Sequence, residues 1–153
     1  MKSSKPNVKP FWRALLILYS LFMLWLLFGR SAGGIEGLSY QEQLGYNRNL
    51  RPFFTIGNYL WVVFHSDNAY LVRHCFINLA GNVLLFIPIG FLLPKVSKAL
   101  RNFLRFFLLC FAIMLAVELL QLVTLLGSFD VDDLILNLSG MSLGFLLERI
   151  TRR

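Results

Sequence analysis

Long apolar runs separated by short polar gaps dominate the chain. The first runs from Phe11 to Phe28, eighteen residues with Trp12, Tyr19 and Trp25 among leucines and isoleucines. That is near the minimum for an α-helix crossing a hydrocarbon core of about 30 Å. The run is long and aromatic for a signal peptide, and Ser31-Ala32-Gly33 is only a loose cleavage match, so an uncleaved N-terminal anchor is expected. The second run, Leu71 to Leu93, contains Asn78, Asn82 and Pro88 and is expected to kink at Pro88 and stop at Pro94. The third, Phe103 to Leu126, is the most apolar and carries Glu118 and Gln121. The fourth, Val131 to Ile150, is thinned by Asn137, Ser139 and Ser142. It needs neighbours, and Gly140 and Gly144 offer a small surface for close helix contact.

Between the first two runs, Phe53 to Phe64 is apolar but too short to cross as a helix. An interfacial helix and a re-entrant segment both fit it, with Pro52 suited to its first turn. The expected fold class is therefore an all-α integral membrane protein. It has four transmembrane helices plus a short interfacial or re-entrant helix in a long extracellular loop, all in a single domain over residues 1–153. Composition agrees: 57% of the 153 residues are apolar and 15% charged, against roughly 25% charged in a soluble domain.

The net charge of +7 is explained by its placement. Lys2, Lys5, Lys9 and Arg13 precede or open the first run, and Lys95, Lys98, Arg101 and Arg105 lie between the second and third. Arg149, Arg152 and Arg153 follow the fourth. The long loop balances Arg30, Arg48 and Arg51 with Glu36, Glu42 and Asp67, and the last turn holds only Asp130, Asp132 and Asp133. Basic and non-basic connections alternate, which places both termini in the cytoplasm and removes the reason to expect a nucleic-acid partner. No Cys/His spacing suggests a metal site, and no cofactor is expected. Cys75 and Cys110 lie in apolar runs at different depths and are expected to stay unpaired. His65 and His74 read as interface histidines, and Trp12, Trp25, Tyr59 and Trp61 as interface anchors.

The informative feature is where the buried polar residues fall. At 1.5 Å per residue, Glu118 sits roughly 12 Å below the outer surface, Asn78 about 10 Å, Asn82 about 16 Å and Asn137 about 9 Å. Gln121 shares a helix face with Glu118, and Asp133 with Asn137. The inner half of each helix is almost purely apolar. A carboxylate inside a membrane costs about 2.5–3.5 kcal/mol on insertion scales, so Glu118 must be paired, protonated or useful. Two readings stay open: a polar clamp between helices, and a functional pocket open to the outside. The Asp130-Val-Asp132-Asp133 run caps a helix and also offers recognition of a cationic ligand; three carboxylates in a turn are a weak metal signal.

Four segments stand out: Asn82-Val-Leu-Leu-Phe86-Ile-Pro88-Ile-Gly90-Phe-Leu-Leu-Pro94, Glu118-Leu-Leu-Gln121, Phe129-Asp130-Val-Asp132-Asp133-Leu-Ile-Leu-Asn137-Leu-Ser-Gly140, and Asn49-Leu50-Arg51-Pro52-Phe53 with Thr55-Ile56. Together they resemble the motifs of the VanZ-like family. The resemblance covers about residues 45–148. Members often carry an arginine before the Phe-Asp motif; here Gly127-Ser128 stands there, and Arg48, Arg51 and Arg73 are the candidate substitutes for pairing with an aspartate. The resemblance implies a bacterial plasma-membrane protein of a family named for a member linked to teicoplanin resistance. Taken together, the residues predict an outward-facing polar pocket of Asn78, Asn82, Glu118, Gln121, Asp130, Asp132, Asp133 and Asn137, with Arg48 and Arg51 over its mouth. The expected partners are membrane lipids and a lipid-linked cell-wall precursor or a glycopeptide. Two alternatives remain: a membrane enzyme acting on a lipid head group with Glu118 as the candidate catalyst, and a small transporter component.

Overall fold

Helices account for nearly all the structure, a computed structural model that describes residues 9–29 and 37–152. Lys2, Lys5, Arg30, Ser31-Ala32-Gly33, Glu36 and Arg153 lie outside the described residues. The helices are α1 (Lys9–Phe28), α2 (Tyr40–Tyr46), α3 (Phe54–His65), α4 (Ala69–Leu84), α5 (Ile87–Val96), α6 (Phe103–Thr124) and α7 (Val131–Thr151). Pro10–Phe28, Ala69–Val96, Phe103–Thr124 and Val131–Thr151 are each long and apolar enough to cross a membrane. Many of their large apolar side chains, among them Leu18, Trp25, Leu104 and Ile150, face outward. The chain is a four-span α-helical membrane protein.

The starts of these helices are written in the sequence. The Asn68 side chain accepts the Tyr70 and Leu71 N–H groups, and Asn102 accepts that of Arg105. Ser39 and Glu42 bond each other's backbone in a capping box that opens α2. α2 is not anticipated by the sequence pattern, because seven residues with Leu44 as their one aliphatic side chain leave little periodic signal. α3 begins at Phe54, so Pro52 precedes the helix rather than sitting in its first turn.

The second span breaks as expected, but it is two helices and it runs past Pro94 to Val96. Pro88 has no N–H to give the Leu84 carbonyl, and Phe86 N–H turns instead to Val83 O at 3.3 Å. Pro94 lies six residues beyond the helix's second position, where its missing donor costs one bond without ending the helix. α7 crosses this broken span at its glycines. A Cβ on Gly140 would overlap the Val83 carbonyl, one on Gly144 the Ile87 carbonyl, and one on Gly90 the Met141 carbonyl. Backbone meets backbone here, and the small-residue surface predicted for α7 is used in full. Below it, Phe106, Cys110, Met114, Leu138, Met141 and Phe145 form the buried core with Met23 and Phe86. Cys75 and Cys110 are buried free thiols.

The helices do not share one level. Asn82 of α4 meets Asp133 of α7 at 2.6 Å. α4 therefore begins about 16 Å above the start of α7. α3, twelve residues or about 18 Å long, runs alongside that projecting part, with the Tyr59 and His74 rings 6.5 Å apart. Segment 40–65 thus descends through α2, turns, and climbs back through α3. Its turn carries β1 (Arg48–Asn49), which pairs in parallel with β2 (Phe129–Asp130), Arg48 opposite Phe129 and Asn49 opposite Asp130.

Candidate functional site

Asp130 and Asp132 organise the turn. Asp130 is the N-cap of α7, its Oδ1 accepting the Asp132 N–H at 2.8 Å. The same carboxylate accepts the Thr55 hydroxyl at 2.6 Å and the Asn49 Nδ2 at 3.2 Å. Asp132, fully buried, accepts the Phe53 N–H at 2.5 Å and the Ile56 N–H at 3.0 Å. These are the N-cap and N3 donors of α3, which its own N-cap residue, a phenylalanine, has no side-chain oxygen to satisfy. Asp132 therefore caps a helix 79 residues upstream, and its charge faces the positive end of that helix. Phe53 sits at φ +63°, a left-handed backbone uncommon outside glycine; the bond to Asp132 holds it there. Glu118, 2% exposed, reaches the same turn from α6, its Oε2 accepting the Asp130 N–H at 3.1 Å. Asn49, Thr55, Glu118, Asp130 and Asp132 are thus one hydrogen-bonded latch between α3, α6 and α7.

A second polar group lies beside it. Asp133 Oδ1 accepts from Asn82 Nδ2, and Asn82 and Asn78 sit one turn apart on α4 with their amides 3.5 Å apart. Gln121 of α6 donates from Nε2 to the Leu27 carbonyl of α1 at 3.0 Å. Asn78, Asn82 and Gln121 line an open cleft of about 400 Å³, walled on the other side by Met23, Leu26 and Leu27 of α1. Asn137 is buried one turn from Asp133, and its Oδ1 has no hydrogen-bond partner.

The predicted residues therefore fall into three places rather than one. Glu118, Asp130 and Asp132 belong to the latch. Asn78, Asn82 and Gln121 face the cleft, with Asp133 bound to its rim and Asn137 packed behind. Arg48 and Arg51 are exposed and line a separate depression with Tyr46, Asn49, Leu50 and Phe54, rather than the cleft. Neither they nor Arg73 form the arginine–aspartate pair proposed to replace the one missing at Gly127-Ser128. The ion pair found among the described residues is Arg152 with Glu148, at 3.8 Å. Asn49 and Thr55 appeared in the sequence only as parts of a motif, and their place in the latch is new. No group of three or more His, Cys, Asp or Glu side chains suited to a metal ion is found among the described residues.

Four spans, a broken second span and an acidic turn capping a helix from the long loop after the first span define a small polytopic membrane protein. The VanZ/LLP1 family matches residues 16–152, and the chain belongs to that family. Protein VanZ of Enterococcus faecium is 29% identical over 142 residues, covering 92% of this chain and 75% of that protein. No solved structure matches the chain.

Proposed function

We propose that this is a cell-envelope accessory protein of the bacterial plasma membrane with both termini in the cytoplasm. In this reading its cleft engages a lipid-linked or glycopeptide ligand at the outer leaflet and lowers susceptibility to glycopeptide antibiotics of the teicoplanin type. The alternating charges of the connections support the orientation. In that orientation Gln121 and the latch lie toward the outward ends of α6 and α7.

The observation that carries the reading is the division of labour among the polar residues. Glu118, Asp130 and Asp132 are bound to backbone and side-chain donors, which accounts for their presence structurally. Among the described residues, Asn78, Asn82 and Gln121 each use only one amide atom in hydrogen bonds, to one another, to Asp133 and to the Leu27 carbonyl, and they also line an open cleft. Polar side chains are expensive within a membrane and mark functional positions by default.

The test is expression in a teicoplanin-sensitive host of the wild type, Asp133→Asn and Asn82→Leu at matched folded levels. Wild type should lower susceptibility and both variants should lose most of that protection. Protection equal in all three would overturn the reading.

A further inference from the structure

α1 is held to the bundle from one side. It packs on α5, where the Tyr19 hydroxyl donates to Leu85 O at 2.8 Å and Trp12 lies edge-on to Phe91. Toward α6 its one side-chain hydrogen bond among the described residues is that from Gln121 to Leu27. Below that bond the two helices part around a cavity of about 250 Å³, floored by Cys110, Met114 and Met141. Leu16 and Leu27 both border it, so it extends about 16 Å along the helix axis. Met23, Leu27 and Phe86 border the polar cleft as well, so the two spaces adjoin.

We propose that this groove holds the single hydrocarbon chain of an amphiphile whose uncharged, hydroxyl-bearing head lies in the cleft of Asn78, Asn82 and Gln121. The inference rests on the reading of the cleft as a ligand site. The groove is apolar but for the Ser20 hydroxyl and lies within the spans, so a hydrocarbon chain is what its surroundings supply. Three methionines border it, and their unbranched side chains adapt to an irregular chain. The head follows from what lines the cleft. Carboxamides both donate to and accept from hydroxyls, and no Lys or Arg lines either space. A phosphate there would be left without a counter-charge, beside the Asp133 carboxylate.

The protein in lipid nanodiscs should be exposed to a monoacylglycerol carrying a photoreactive group midway along its chain. A lysophosphatidic acid with the same chain serves as the charged counterpart. Crosslinks mapped by peptide mass spectrometry should fall on α1 around Met23 and on α6 between Cys110 and Val117, with the neutral probe about tenfold ahead of the anionic one. Ser20→Phe and Ile113→Phe, which fill the groove from its two half-exposed walls, should each remove these crosslinks without loss of folded yield. Crosslinks unchanged in both fillers, or found on the outer faces of the helices instead, would overturn the groove. Equal labelling by the two probes would overturn the neutral head. Groove labelling together with unaltered glycopeptide protection in Asp133→Asn would support the groove and count only against the resistance reading.

Discussion

Asn82 Nδ2 donates to Asp133 Oδ1 at 2.6 Å across 51 residues of sequence. The contact joins the middle of the second span to the first turn of the fourth, and so sets the start of α7 about 16 Å lower than the start of α4. Segment 40–65 fills the space this leaves, and the acidic turn becomes the point where that segment is tied down.

Asp132 is the tie with the largest expected effect. Asp132→Ala removes the acceptor of the part-buried Phe53 and Ile56 N–H groups, each bond worth about 0.5–1.5 kcal/mol, and releases a left-handed residue from its restraint. A large drop in melting temperature is expected, with faster hydrogen exchange confined to α3. Exchange in α3 equal to wild type would show that Asp132 does not cap it.

Glu118 separates charge from hydrogen bonding. Glu118→Gln retains an oxygen for the Asp130 N–H, so folded yield and melting temperature should stay close to wild type. Glu118→Leu leaves that donor unsatisfied in a medium without water and should melt lower by an amount reflecting about 1–3 kcal/mol. Equal melting of the two variants would remove the latch role.

The crossing of α7 over the broken span depends on absent side chains. Gly140→Ala, Gly144→Ala and Gly90→Ala each force backbone apart, where overpacking costs about 1–3 kcal/mol or more. Gly81→Ala, with nothing within 4 Å of its Cβ, is the control and should be tolerated. Size-exclusion profiles of the four variants in detergent measure the difference.

Orientation is testable with single cysteines, because Cys75 and Cys110 are buried. A cysteine at Asn47 should react with an impermeant maleimide in intact cells, and one at Ser97 only after permeabilisation. The reverse pattern would invert the proposed topology.

The α2 capping box has a pH signature. The Ser39 hydroxyl and N–H bonded to Glu42 lower that carboxyl below its usual range. Its contribution is therefore present above the ordinary carboxylate pKa and is lost as pH falls through the lowered value. Amide exchange in residues 40–46 should stay slow at pH 5 and rise only in stronger acid.

The four spans, their number and their order were legible in the sequence, because a hydrocarbon core imposes length and hydropathy on each helix separately. So were the Asp130 cap, the break at Pro88 and the close face at Gly140 and Gly144, since each follows from local backbone chemistry. Depth was not. Counting residues inward from each end put Asn82 well below Asp133, because every helix was assumed to begin at one surface. Only packing decided otherwise: the glycines fix α7 against Val83 and Ile87, and that register lowers its first turn to Asn82. The same packing divided the polar residues. Asp130 and Asp132 look alike in sequence to Asp133, but which carboxylates are taken up by donors of the long loop depends on where the chain from residues 47 to 56 lies. That path is a long-range contact, and no local pattern of hydrophobic and polar residues encodes it.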